Sequence, residues 1–446
     1  MPDKSPALDR PIGLLQATAM IVGIIIGASV FVQPSEINRH VPGVTGVLLV
    51  WIAAGVLTLF GSLVCAELSS VYPRTGGVYV FLKETISPAC GFLWGWAMFW
   101  SAHSGIIAAS SMIFARYVAW FVPLGDAGIR GVAIAGIALL SFLNYLGVRQ
   151  GSGLQTVVTV GKVLVIALLL CMVLVFGARA TGVAAPAPAP PLTFRDFVLA
   201  VSAALFAFGG WHMVTYTAGE TRDAARTIPR ALLIGVLTVT ACYIALNAAY
   251  MYLLPRPAVI ASKYVAADAA KAMAGSRGAA GISALVILSS LGVLNGVILA
   301  GPRTYYAMAG DGLSFGWLAR IHPRFHTPSR AILAQAVWSA VLVLTGTYRA
   351  LFTRVVYTEW LFFALMAIGL VRLHRQPGYA PPFRAWGHPL TAIVFAMASV
   401  VVAGMQIAAD PVSAATGLAL VVLGLPVYYI WLRPSRAAGA ISHASH

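Results

Sequence analysis

Long apolar stretches follow one another along most of the chain, separated by short segments rich in charge, proline or glycine. A helix that crosses a membrane needs about 20 mostly apolar residues, and twelve stretches approach or exceed this length. They lie near residues 13–35, 44–68, 88–121, 130–148, 155–177, 196–219, 231–254, 281–308, 331–346, 355–373, 388–408 and 413–432. The pattern predicts an all-α integral membrane protein with twelve transmembrane helices.

Composition excludes the other broad classes. Of the 446 residues, 60% are hydrophobic and only 9% are charged, whereas soluble domains carry roughly 25% charged residues and disordered chains have low hydrophobicity. The net charge of +16 could indicate nucleic-acid binding, but the basic residues stand singly or in small groups between apolar runs and form no basic stripe. We therefore expect a lipid bilayer as the surroundings and no nucleic acid as a partner.

The distribution of arginines predicts the orientation in the membrane. Twelve spans put both termini on one side, and loops rich in Lys and Arg face the cytoplasm. The basic loops on the terminal side carry Arg222, Arg226, Arg230, Arg320, Arg324, Arg330, Arg372, Arg375 and Arg384. We therefore expect residues 1–12 and 433–446 to be cytoplasmic, the chain to lie in the cell (inner) membrane, and the Pro- and Ala-rich segment 179–195 to be an extracellular, semi-rigid connector.

Two spans are interrupted at mid-depth by small residues. The first contains G-I-I-I-G-A-S-V-F at 23–31, and the sixth contains F-A-F-G-G-W-H at 206–212. The five spans of residues 13–178 and the five of residues 196–373 form units of similar length, and because five is odd, the second unit enters the membrane from the opposite side. The final two helices lie within residues 374–432. Broken helices at corresponding places of inverted repeats are typical of the central site of a transporter.

An interrupted helix offers chemistry suited to an amino acid. Unwinding frees N–H and C=O groups at the membrane midplane, which costs several kcal/mol unless a ligand or water satisfies them. A carboxylate can accept hydrogen bonds from N–H groups at a helix start, where the dipole is positive, and an ammonium group can donate to carbonyls at a helix end. Small residues also serve close helix packing. One glycine pair alone would favour packing, but two matched interruptions favour a binding site.

Charged residues inside the spans are rare. Lys162 lies about a third of the way along the fifth span, and such residues are functional candidates because insertion costs about 2.5–3.5 kcal/mol. The alternative is that its side chain reaches back to the cytoplasmic surface. The acidic residues Glu36, Glu67, Glu220 and Glu359 all fall toward the ends of the predicted spans. Their absence from the middle favours neutral amino acids over arginine or polyamines as substrates.

Several motifs occur in a characteristic order along the chain. In addition to the two interruptions, they are A-E-L-S-S-V-Y-P-R-T-G-G-V-Y at 66–79, G-E-T-R-D-A-A-R-T-I-P-R-A at 219–231, L-N-G-V-I-L-A-G-P-R-T-Y-Y-A-M-A-G-D-G at 294–312, I-H-P-R-F-H-T-P at 321–328 and P-P-F-R-A-W-G-H-P at 381–389. Together they resemble the amino acid-polyamine-organocation superfamily, and within it the L-type amino acid transporters and their bacterial relatives. The resemblance extends over about residues 10–432.

The resemblance implies a LeuT-type fold, with five plus five inverted helices, two added helices, and helices 1 and 6 unwound at mid-membrane. It also implies alternating access and sodium-independent transport of amino acids. The substrate carboxylate would meet backbone N–H groups of Ala28, Ser29 and Val30, which follow Gly27 of the first motif. Ser29 departs from the family pattern, which usually has glycine there, so its side chain is expected to shrink the pocket.

The same resemblance assigns the remaining site residues. The substrate ammonium would meet the carbonyls of Ile25 and Gly209, and Phe206 would be the aromatic gate over the ligand. Similar transporters have a lysine at the position of Lys162, whose ammonium group takes the place of a coupling sodium ion. Its partners here would be carbonyls near Gly23 and a hydroxyl of Ser289 or Ser290. His212 stands where asparagine is common, and His103 is interpreted as a histidine bonded to a neighbouring helix.

These observations favour a secondary active transporter of neutral L-amino acids that works by exchange. Proton-coupled symport, and transport of cationic amino acids or polyamines, remain alternatives, as does a nutrient sensor with the same fold. The nine histidines are scattered, which argues against a metal site or a membrane enzyme, and no cofactor is expected. The outer loop at 122–130 contains no cysteine, so no disulfide-linked heavy chain is expected.

Overall fold

The computed structural model describes residues 8–176, 192–262 and 265–430. Within these ranges the protein is helical, and its only bridge of β type is an isolated parallel pair between Ile12 and Thr221. The α-helices of the described residues are α1 Leu14–Ile25, α2 Gln33–His40, α3 Val44–Val71, α4 Val78–Thr85, α5 Pro88–Ala97, α6 His103–Val118, α7 Asp126–Leu146, α8 Val148–Phe176, α9 Phe194–Ala207, α10 Ala224–Leu253, α11 Arg256–Ala261, α12 Val265–Gly310, α13 Ser329–Thr345, α14 Tyr348–Leu373, α15 Leu390–Ala409 and α16 Pro411–Val422.

A helix lies at each of the twelve predicted positions. Nine helical segments of the described chain are long and apolar enough to cross a membrane, and α1 and α13 are shorter apolar helices. A five-residue π-helical turn at Met98–Ala102 joins α5 to α6, so that Pro88–Val118 forms one continuous candidate span. The chain is therefore a multi-pass membrane protein, while the full count of twelve crossings remains a prediction.

Some boundaries differ from the predicted ones. The short helices α2, α4 and α11 were not expected. Helix α12 begins at 265, because the alanine-rich stretch before 281 favours helix, but its apolar candidate span, Ala280–Gly310, agrees with the predicted span at 281–308. Helix α14 begins at 348 rather than near 355. This places Glu359 near the middle of α14, so the expectation that it lies toward the end of a span is wrong.

Two predicted segments cannot be compared with the structure. Most of the connector at 179–195 and the whole of the tail at 433–446 lie outside the described residues. The description resumes just before α9, where the hydroxyl of Thr193 accepts a hydrogen bond from the N–H of Asp196 at 3.1 Å and caps the helix.

Helix α1 occupies the centre of the molecule. It packs against α8, α10 and α12, and most of its residues are buried, as expected for a helix that is apolar on all sides. Glycines on the neighbouring helices allow this close approach. A Cβ atom would lie 2.7 Å from Cγ2 of Ile21 if added to Gly235 of α10, and 2.3 Å from Cγ1 of Ile24 if added to Gly296 of α12.

Candidate functional site

The first interruption follows α1 directly. The helix ends at Ile25, and Ile26 and Gly27 leave helical geometry, Gly27 with φ −109° and ψ −161°. A 3₁₀ turn then runs over Ala28–Phe31, before α2. Because Ala28 and Ser29 begin this turn, their N–H groups have no acceptor within it. These are two of the N–H groups that the sequence predicted would meet a carboxylate.

The second interruption follows α9. The helix ends at Ala207, and the chain resumes as 3₁₀ helix at Trp211–Glu220. Between them Gly210 adopts a left-handed conformation, with φ +97°, which glycine tolerates far better than other residues. A Cβ atom on Gly210 would also lie 2.4 Å from Cγ2 of Ile24. The backbone of the second interruption therefore packs directly onto the end of α1.

One tyrosine hydroxyl joins the two interruptions. Oη of Tyr243, on α10, lies 2.9 Å from the carbonyl oxygen of Ile25 and 3.0 Å from that of Ala207. The N–H of Gly27 also donates to the Ile25 carbonyl at 2.8 Å. A tyrosine hydroxyl has a single proton and donates to one of these two carbonyls at a time. When it donates to Ala207, the carbonyl oxygen of Ile25 keeps one of its two lone pairs for a substrate ammonium.

A cavity of about 350 Å³ lies between the interruptions and helices α6 and α14. The predicted site residues that border it are Ile25, Gly27, Ser29, Phe206 and Gly209. Val30 is fully buried and does not border the cavity, and the side chain of Ala28 lies outside those that the structure describes. The structure thus brings five of the seven predicted substrate-binding residues to one cavity, through the fold of two segments that are about 180 residues apart in the sequence.

The cavity also has polar groups that the sequence analysis did not assign to the site. Glu359 and Ser290 border it, and the Oε1 atom of Glu359 and the hydroxyl of Ser290 are buried without a hydrogen-bond partner among the described residues. The same holds for both ring nitrogens of His212. Glu359 was missed because the start of α14 was placed too late. The four-residue spacing between Glu359 and Phe363 puts both on one helix face. This spacing is the sequence feature that could have indicated that Glu359 borders the cavity.

Lys162 is fully buried and binds the end of α1. Its Nζ atom donates to the carbonyl oxygens of Gly23 at 3.0 Å, Ile26 at 2.7 Å and Ser289 of α12 at 3.3 Å. The carbonyl near Gly23 was expected as a partner. The prediction that a serine hydroxyl binds Lys162 was wrong. Ser289 contributes its backbone carbonyl, and its hydroxyl has no partner in the described chain. Lys162 therefore ties α8 to α1 and α12 and does not reach back to the surface.

A buried ion pair lies at the end of the second interrupted span. The guanidinium of Arg303, on α12, donates to both carboxylate oxygens of Glu220, at 2.8 and 3.0 Å, and both side chains are fully buried. The backbone next to this pair holds the start of the chain, since the N–H of Ile12 donates to the Glu220 carbonyl at 3.1 Å. Elsewhere, His103 bonds to Tyr305 of α12 at 3.0 Å, which is the contact with a neighbouring helix that was expected.

Comparisons with known proteins agree with this architecture. A sequence model of the amino acid permease family matches residues 12–430. The serine/threonine exchanger SteT of Bacillus subtilis (strain 168) is 31% identical over 428 residues, which are 95% of this chain and 97% of that protein. Human large neutral amino acids transporter small subunit 2 is 29% identical, over 95% of this chain and 81% of its own length. The human cystine/glutamate transporter is 27% identical, over 95% and 86%.

All three names describe transport or exchange of amino acids, which puts the chain among permeases rather than enzymes. Their substrates differ from one another, so the comparisons by themselves assign none to this protein. A family match over nearly the whole chain, together with a relative that is 31% identical at almost full length, means that this multi-pass membrane protein belongs to the amino acid permease family, within the amino acid-polyamine-organocation superfamily.

Proposed function

We propose that this protein exchanges neutral L-amino acids across the cell membrane by alternating access, without sodium. The observation that carries the proposal is the cavity between two interrupted helices, which are held together by Tyr243 and bordered by Gly27, Ser29 and Gly209. N–H groups that have no acceptor within the turn after α1 suit a carboxylate, and carbonyls at the ends of α1 and α9 suit an ammonium group. This arrangement recognises the part that all amino acids share.

The lining of the cavity supports neutral side chains among the substrates. Ile24, Ile106, Ile113 and Val293 border it, and apolar walls of this kind hold aliphatic groups by excluding water. The printed substrates of two relatives, serine with threonine and large neutral amino acids, are also neutral. Phe206 borders the cavity and is 42% exposed, which supports the proposal that it acts as the gate over a bound ligand.

The sodium independence is inferred from Lys162. Its ammonium group contacts carbonyls of α1 and α12, where it supplies a fixed positive charge to oxygens that a metal ion would otherwise coordinate. We propose that this charge holds the end of α1 against α12 while the other helices move. Proton-coupled symport is the alternative, since a buried lysine can release its proton.

We further propose the LeuT-type arrangement of twelve spans, with inverted repeats at 13–178 and 196–373, both termini in the cytoplasm and no disulfide-linked heavy chain. Cys65, Cys90, Cys171 and Cys242 are all free thiols in the structure, and none lies in the outer loop at 122–130. A covalent partner on a non-reducing gel of native membranes would contradict the last point.

The test of the proposed function is uptake of radiolabelled amino acids into proteoliposomes, with and without unlabelled amino acid inside. Exchange predicts that leucine, serine or alanine enters only preloaded vesicles, at the same rate with or without sodium. Uptake into empty vesicles that rises with an inward proton gradient would establish symport in place of exchange. Binding without any flux would indicate a sensor.

A further inference from the structure

Glu359 is partly buried, with its Oε1 atom out of contact with solvent, and it differs from Glu67 and Glu220, the two acidic residues that are fully buried in the described helical core. The carboxylate of Glu67 accepts hydrogen bonds from His374 at 2.6 Å, Tyr379 at 2.9 Å and the backbone N–H of Ala385 at 2.7 Å. The carboxylate of Glu220 accepts two hydrogen bonds from the guanidinium of Arg303. Glu359 is in no ion pair of the described chain, and its Oε1 atom has no hydrogen-bond partner there. An ionised carboxylate removed from water is costly unless a cation or several donors compensate it.

The described part of the chain supplies no cation to this wall of the cavity. The side chains that border the cavity include no lysine or arginine, and Lys162 is engaged by the carbonyls of α1 and α12. Glu359 lies on α14, which packs against α3 and α6, whereas the interruptions follow α1 and α9. The carboxylate therefore sits on a different wall from the backbone groups suited to the amino and carboxyl groups of a substrate.

A second unsatisfied group lies near the same wall. Phe363, one turn after Glu359 on α14, has its ring centroid 5.0 Å from that of His212. Both ring nitrogens of His212 are buried and have no partner in the described residues. A neutral imidazole offers one lone pair and one N–H group, and His212 borders the same cavity as Glu359, so it can accept a hydrogen bond from a donor group on a ligand bound there.

We propose that Glu359 determines side-chain specificity by binding the cationic end of a basic amino acid, such as lysine, ornithine or arginine, with His212 as a second acceptor. Basic amino acids are then substrates in addition to neutral ones. The inference rests on the proposed function, because the amino and carboxyl groups of the ligand must be held at the interruptions. A cavity of about 350 Å³ is within the usual range of ligand pockets, about 300–1,000 Å³.

The decisive variant is Glu359→Gln, which keeps the size of the side chain and removes its charge. Uptake of lysine, arginine and leucine is measured in preloaded proteoliposomes. We expect lysine and arginine uptake by the variant to fall at least about ten-fold, which is the scale of a lost hydrogen bond to a charged group. Leucine uptake should change by less than about two-fold. Glu36→Gln is the matched control, since Glu36 is a partly exposed acid on α2 that does not border the cavity; its uptake profile should equal that of the wild type.

The wild type alone provides a second test that does not depend on the folding of a variant. Arginine and citrulline have nearly the same shape, but only arginine is charged. We expect arginine to inhibit leucine uptake at a concentration at least about ten-fold lower than citrulline does, if an ionised carboxylate faces the side chain.

The outcomes separate this inference from the proposed function. Wild-type uptake of leucine without any uptake of lysine or arginine overturns the role of Glu359 and leaves amino acid exchange intact. An equal loss of leucine and lysine uptake in Glu359→Gln also overturns it, because the residue would then serve structure or proton transfer. If the wild type takes up no amino acid at all, the proposed function fails first.

Discussion

At the scale of single residues, the site depends on one glycine conformation. Gly210 has a left-handed φ of +97°, and a Cβ atom added to it would lie only 2.4 Å from Cγ2 of Ile24. We therefore expect Gly210→Ala to be destabilising by about 1–3 kcal/mol, from strain and overpacking together. The measurement is the thermal unfolding midpoint of the purified protein in detergent. Gly209→Ala is the control, since its Cβ would lie 3.4 Å from the nearest atom, and an equal loss in both variants would contradict the argument.

Single residues also explain why part of the site could be predicted from the sequence. The interruptions were visible because Gly27, Gly209 and Gly210 break an apolar pattern, and their effect on the backbone is local. The position of Glu359 was not visible in this way. Arg349 and Arg354 interrupt the hydropathy of the stretch before it, yet the helix continues through them. A hydropathy pattern marks where a chain is apolar, and the ends of helices depend on tertiary contacts as well.

At the scale of helices, the buried pair of Glu220 and Arg303 joins the end of the second interrupted span to α12. Removal of one partner leaves the other charge buried and unpaired, which typically costs about 3–5 kcal/mol. We expect Arg303→Met to lower the unfolding midpoint strongly. The double variant Glu220→Gln with Arg303→Met should recover much of that loss, because neither charge then remains. A double variant as unstable as Arg303→Met would mean that the carboxylate is not what destabilises the single variant.

Lys162 makes a second connection between helices, and its loss should affect transport more than folding. Lys162→Ala removes the donor to three carbonyl oxygens, including those of Gly23 and Ile26 at the first interruption. We expect uptake to be abolished while the protein still purifies as a folded species, as judged by size-exclusion chromatography. The control is Lys271→Ala, since Lys271 is exposed on α12. Full uptake by Lys162→Ala would refute the role assigned to this lysine.

The lysine contacts also mark the limit of sequence reasoning at this scale. The position of Lys162 within an apolar stretch identified it as a candidate, because a charge there is costly and rarely without a partner. Its partners depend on the rotation of α12, which decides whether Ser289 presents a hydroxyl or a carbonyl. Polar and apolar residues of α12 do not separate onto two clear faces, so its sequence does not specify that rotation, and packing against α6 and α8 determines it.

At the scale of the whole molecule, contacts between distant loops divide the chain into two ends. At one end, His326 bonds to Asp9 at 3.0 Å and the N–H of Arg222 donates to the carbonyl of Ile12 at 2.9 Å. At the other, Arg256 donates to the carbonyl of Asn38 at 2.8 Å. The first set joins only segments predicted to be cytoplasmic, and the second joins only segments predicted to be outside. Loops that touch must lie on the same side of the membrane, whichever way the protein is inserted.

The remaining question is which end faces the cytoplasm, and the arginine-rich loops predict that it is the end with Asp9. The test uses single cysteines in a variant without native cysteines, labelled in intact cells with a maleimide that does not cross membranes. Gly125→Cys, in the exposed loop before α7, should be labelled, and Gln376→Cys, in the exposed loop after α14, should be labelled only after the membrane is permeabilised. The reverse pattern would invert the orientation. Labelling of both in intact cells would contradict the predicted count of spans, because seven predicted spans separate residues 125 and 376, and an odd number must place them on opposite sides.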